Sequence, residues 1–172
     1  MEFFHDARSG GGKGEAVEVI PGRGAAFGDL FNDGKTDVVI NSMDHVPSLM
    51  RDVSPDHHHW VGLKLIGGPK SPRDAVGAVA YLTAGGTKQR SDVLSGGSYE
   101  SSNDQRPHFG IGDATSVDAL EIHWPSGAVE HITIPSVDRF FTIQEGKGIV
   151  SGIVEDPAKS KTSGPQGRQT SR

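Results

Sequence analysis

An all-β fold, built as a sandwich or a partly open barrel, is what the sequence predicts, on three observations. Apolar residues recur at every second position in short runs. Clusters of Gly, Pro, Ser and Asn separate those runs. No window of about a dozen residues holds a helical period. A hydrophobic content of 34% with 24 Gly and 10 Pro points the same way, since many tight turns are needed to join short strands.

The elements follow in order. A strand is expected at Ala16 to Ile20, between Gly-rich ends. The segment GRGAAFGDLFNDGKTDVVINSMD is a turn-rich loop that feeds the apolar run Val38 to Ile40. A polar connection through Pro47, Pro55 and His57-His58-His59 ends at Trp60. Val61, Leu63 and Leu65 then share one face of a strand, with Lys64 on the other. Val76, Ala78, Ala80 and Leu82 repeat that pattern. Ala84-Gly85-Gly86 is a hairpin connection into a strand from Thr87 to Leu94. Leu120, Ile122 and Trp124 alternate with Glu121 and His123, Pro125-Ser126-Gly127 turns the chain, and Val129 to Ile134 returns antiparallel. Phe141 and Ile143 close the series. Trp60 and Trp124 sit in apolar alternations and are read as core. The expected division is 1–56, 57–147 and a tail at 148–172. The end of that tail, EDPAKSKTSGPQGRQTSR, lacks the large apolar residues needed to offset ordering entropy and is expected to be disordered.

A net charge of −5 with no basic stripe argues against nucleic-acid binding. No apolar run approaches the roughly 18 residues of a membrane span. The absence of cysteine excludes disulfides and Cys-based zinc sites. Glu2, Phe3, Phe4 and His5 after Met1 do not form the basic and apolar regions of a signal peptide. That start suits a cytoplasmic protein, and equally a truncated frame of a longer exported one.

One segment carries metal-site chemistry. Asp29, Asp33 and Asp37 occupy the first, fifth and ninth places of DLFNDGKTD, with Gly34 at the sixth. Calcium takes six to eight oxygens, from carboxylates at alternate positions around a sharp glycine turn. Asp29, Asp33, Asp37 and the Lys35 backbone carbonyl are therefore the candidate ligands of a weak calcium site. The other reading is an Asn-Asp-Gly turn whose carboxylates accept loop N–H groups without metal. The loop, with its Phe27-Gly28 lead-in, resembles the calcium loops of FG-GAP or VCBS propeller repeats. It departs from them at the third place, where Phe31 cannot ligate.

From His59 to Gln144 the stretches HHHWVGLKLIG, RDAVGAVAYLTAGG, SGGSYESSNDQRPHFGIGDAT and VDALEIHWPSGAVEHI together resemble the ASPIC/UnbV domain. In that family the domain follows a propeller of VCBS repeats in exported proteins. The resemblance implies a partial propeller blade ahead of a sandwich-like domain. It also implies an extracellular or periplasmic setting and a non-catalytic role in adhesion or binding. A single loop of this kind is fewer than a closed propeller requires, so the chain reads as a fragment.

The best ligand surface is Ser95 to Arg106 with His108. Ser98, Tyr99, Ser102, Asn103, Asp104, Arg106 and His108 offer hydroxyls, amides, charges and a flat ring suited to a glycan or protein ligand. The bland alternative is a self-bonded loop in which Tyr99 and Phe109 complete the core. Ser98, His108 and Asp104 also contain the residue types of a hydrolase triad, but no nucleophile elbow accompanies them. Glu100 with Glu121 lacks support as a glycosidase pair. The chain is thus expected to be non-enzymatic. A carbohydrate-binding accessory domain of an enzyme and an orphan fragment are the alternatives. The three consecutive histidines point to alternate sides of an extended chain and do not converge on one ion.

Overall fold

The computed structural model describes residues 3–5, 22–43, 46–55, 58–97 and 99–151. All the regular structure among them is strand. β1 (Phe3–His5), β2 (Gly22–Gly28), β3 (Asp37–Ser42) and β4 (Ser48–Asp52) form an antiparallel sheet in the order β1-β4-β3-β2. The remaining strands are β5 (His59–Ile66), β6 (Val79–Ala84), β7 (Thr87–Asp92), β8 (His108–Gly112), β9 (Ala119–His123), β10 (Val129–Ile132), β11 (Arg139–Gln144) and β12 (Gly148–Ser151). They make two further sheets, β10-β9-β6-β7 and β12-β11-β5-β8. None of the three sheets closes into a barrel, and the strands from β5 onward are sandwich-like. The strand expected at Ala16 to Ile20 and the segment after Ser151 lie outside the described residues, whereas β12 carries the third sheet past residue 147.

The sandwich follows from the alternation. Val61 and Leu63 are fully buried and Leu65 nearly so, while Lys64 between them is exposed. Ala80 and Leu82 of β6, Leu120 and Ile122 of β9, and Phe141 and Ile143 of β11 join them in one cluster. Two sheets that each turn an apolar face inward remove it from water against one another. The β6–β7 hairpin places Ala84 opposite Thr87. Gly85 and Gly86 between them have φ of 54° and 76°, the left-handed pair that a two-residue turn matched to strand twist requires. Val76 and Ala78 precede β6 rather than lying in it, although Ala78 is still fully buried.

Strand β11 runs parallel to β5, with Arg139 opposite Val61 and Gln144 opposite Ile66. Phe140 and Phe141 are consecutive, and both are buried. Phe141 enters the core, and Phe140 covers the opposite face of the same sheet. That outer face is where the first sheet attaches.

The described residues of β2 to β4 contribute almost no core. Of the nineteen buried hydrophobic residues among the described ones, Val38 alone belongs to these strands. Six of the ten exposed large hydrophobic residues among the described ones, Phe27, Leu30, Phe31, Met43, Val46 and Val53, fall from β2 to the residue after β4. Packing among the described side chains of β2 to β4 therefore contributes little, and contacts with the sandwich help hold these strands in place.

Candidate functional site at the loop junction

The two candidate sites meet. The acidic loop between β2 and β3 is seated on the segment that leads into β8, and some of the residues singled out in each serve one junction.

Within the acidic loop the carboxylates organise the backbone. Asp29 is 3% exposed. Its Oδ1 accepts the Asp33 N–H at 3.0 Å and its Oδ2 the Gly34 N–H at 2.8 Å. Asp37 is 1% exposed and accepts the N–H groups of Leu30 at 3.2 Å and Asp52 at 3.1 Å. Burial pushes the Asp37 carboxyl above its usual value, and the two N–H donors oppose that shift. Asp33 accepts the Lys35 N–H at 3.2 Å through Oδ1 and the Arg51 guanidinium at 3.0 Å through Oδ2. Gly34 has φ of 87°, and a Cβ there would overlap the Trp60 indole. The glycine thus lets the loop backbone lie against the ring.

Trp60 is the centre of the receiving surface. Its ring stacks on His108 at 5.2 Å and 11°, and meets Phe140 edge-on at 5.2 Å. Arg106 joins the two sides. Its guanidinium donates to Asn32 Oδ1 and to the Asp29 carbonyl, each at 2.7 Å. It also pairs with Asp104 at 2.6 Å and lies 4.1 Å above the Phe140 ring. A fork of five donors in one plane suits such divided work. Alongside, the Asp104 N–H donates to the Phe27 carbonyl at 2.8 Å, and the Phe27 N–H donates to Asn103 Oδ1 at 3.1 Å. Those two bonds continue the edge of β2 onto the sandwich.

Arg106 and His108 therefore face the acidic loop, and Asn103 and Asp104 the end of β2 that leads into it. Ser102 Oγ donates to the Ser95 carbonyl at 3.3 Å. Tyr99 is 66% exposed and Phe109 is buried, so only the second of these rings completes the core. Ser98 lies outside the described residues, as does His57. His58 pairs with Asp113 at 3.1 Å and His59 with Asp138 at 2.7 Å, so these two neighbours engage different partners. Trp124 is 3% exposed, in the core as expected, whereas Trp60 is only partly buried and works at the junction. The acid nearest His108 across the junction is Asp29, while Asp104 is held by Arg106. Glu121 pairs with His123 at 2.5 Å. A pocket of about 390 Å³, lined by Pro69, Lys70, Ser126 and Glu145 among others, contains none of the candidate residues.

His108 is a titratable group that the seating buries. Burial pushes its imidazole below its ordinary value; Asp29 and Asp104 oppose the shift and Arg106 adds to it. Its Nε2 is buried without a hydrogen-bond partner, 3.9 Å from Asp29 Oδ2. At neutral pH the ring is uncharged, and this proximity is not an ion pair. The unfolded chain then binds a proton more readily than the folded one, so stability is full above about pH 6.5 and falls as pH drops through the folded value. Replacing His108 by Phe keeps a ring on Trp60 and should flatten that part of the pH–stability curve. Urea midpoints of both proteins between pH 7 and 5 measure the difference, and identical slopes would assign the dependence elsewhere.

The donor set of the acidic loop does not fit calcium as it is arranged. Among the described residues, no three acidic or histidine side chains converge closely enough to hold a metal ion. Both oxygens of Asp29 and of Asp37 accept backbone N–H groups, and Asp33 is turned to Arg51. Phe31, at the third place, offers no oxygen.

Part of the sandwich matches a known family model. Residues 68–150 match the ASPIC and UnbV family. The match spans β6 to β12, so the ASPIC/UnbV stretch supplies Arg106, His108 and Phe140. β5 lies just before it, yet completes the third sheet between β11 and β8. Its Trp60 is the platform on which the acidic loop rests. A search of curated proteins gave no match.

Proposed function

We propose that the chain is a non-catalytic binding and interaction module of an exported protein, working outside the cytoplasm. In this reading the ASPIC/UnbV sandwich carries the first sheet as a blade of a propeller-type array. One observation carries it: among the described residues of β2 to β4 and their flanking loops, Val38 is the one buried hydrophobic side chain and six large ones are exposed. A surface so composed is suited to being covered by neighbouring protein. Four antiparallel strands in one sheet is also the make-up of a propeller blade. The FG-GAP or VCBS resemblance of the acidic loop and the family match downstream support the same assignment, and the extracellular or periplasmic setting rests on that resemblance.

The test is to replace Leu30 and Val53 by Ser. Both side chains are substantially exposed, so the unfolding free energy should stay within about 0.5 kcal/mol of the parent. Self-association in sedimentation and binding of a hydrophobic dye should both fall. A large drop in midpoint, with association unchanged, would mean that these residues are internal packing and not a docking face.

A second reading, a carbohydrate-binding accessory domain, is favoured by the exposed ring of Tyr99 beside Ser101 and Ser102. On a glycan array the interaction-module reading expects no ligand whose retention depends on Tyr99. A reproducible hit that Tyr99→Ala removes would establish the accessory reading instead.

A further inference from the structure

Arg51 sits at the C-terminal end of β4, beside Asp52, whose N–H bonds Asp37. Its guanidinium reaches into the acidic loop at two points. It donates to Asp33 Oδ2 at 3.0 Å, and its carbon lies 4.1 Å over the Phe31 ring. Phe31 is the residue that breaks the calcium pattern. It gives up an oxygen and supplies a ring face, and a ring face attracts a guanidinium.

We infer that the acidic loop is a metal-independent clasp in which the Arg51 guanidinium, resting on Phe31, takes the place a divalent cation would otherwise hold. The two departures from a calcium loop are complementary. An apolar ring at the third place removes a ligand, and the arginine satisfies the carboxylate at the fifth. The remaining carboxylates are engaged by backbone N–H groups, which hold the loop in a closed form that needs no ion. This concerns the loop itself and stands whatever covers the first sheet.

Thermal unfolding of the full chain in millimolar calcium chloride and in chelator tests it. The wild-type midpoint should be the same in both, because a ligand raises the midpoint only when it binds the folded state. Arg51→Gln should lower the midpoint by a few degrees, and calcium should not restore it. The double variant Phe31→Asp with Arg51→Ser returns an oxygen to the third place and removes the competing cation, so its midpoint should rise with calcium. A wild-type midpoint that rises with calcium would overturn the inference. So would an Arg51→Gln protein as stable as its parent, or a double variant that stays blind to calcium.

Discussion

Replacing Arg106 by alanine is expected to weaken the attachment of the first sheet by about 2–4 kcal/mol. The side chain is 22% exposed, so water replaces little of what is lost. Its removal leaves the Asn32 amide oxygen and the Asp29 carbonyl without their donor, and leaves the Asp104 carboxylate only the N–H of residue 106. A truncation that leaves charged or polar partners unsatisfied costs more than the bond it removes. Arg106→Lys should recover only a minor part, because a single ammonium does not span two acceptors and a ring face. Amide hydrogen exchange resolved by residue is the appropriate measurement. Exchange should accelerate at Asp33 and Gly34, whose N–H groups Asp29 holds, and stay slow at Leu63 and Leu82 in the sandwich. Uniform acceleration would place Arg106 in the stability of the sandwich itself.

Gly34→Ala is the second large effect, about 3 kcal/mol. Part is conformational, since an L-residue held at positive φ costs roughly 1–2 kcal/mol. The rest is steric. The added methyl would overlap the Trp60 indole, whose position is set by His108 on one face and Phe140 at its edge. The ring has little room to retreat, so the loop must lift. Lifting the loop also breaks the Arg106 bonds, which makes the two variants dependent on one another. The double variant Gly34→Ala with Arg106→Ala should lose clearly less than the sum of the singles, as residues sharing one contact do. Chemical denaturation followed by the fluorescence of Trp60 and Trp124 gives the four values. Additive losses would show that glycine and arginine act at separate places.

The sandwich was readable because its signal is local. Alternation at Val61, Leu63 and Leu65, and again at Leu120, Ile122 and Trp124, states which face of a strand is apolar, and burial followed that statement residue by residue. The glycine pair at the β6–β7 hairpin was readable for the same reason. Alternation does not state which strand lies alongside, so the parallel pairing of β11 with β5 was not legible. Phe140 and Phe141 blur the pattern further, because that strand is covered on both faces.

At the junction the spacing of Asp29, Asp33 and Asp37 marked the loop, and Phe31 marked its departure from a calcium cage. Besides the loop's own N–H groups, two side-chain donors reach it from elsewhere: Arg51 from β4, and Arg106 from 74 residues beyond Asn32. No periodicity links residues so far apart. Arg106, Asp104 and His108 were recognised by type as candidates for contact, and the fold directs that contact toward the neighbouring loop. The one available hint was Phe31 itself, since a missing ligand in an acidic loop asks what else balances its charge.

The most direct measurement is a nuclear Overhauser experiment on the full chain in chelator, reading contacts between the Gly34 α-protons and the Trp60 indole. Seating of the metal-free loop predicts clear cross-peaks between them. Their absence, with Gly34 resonating at random-coil positions until calcium is added, would contradict both the junction and its independence of metal.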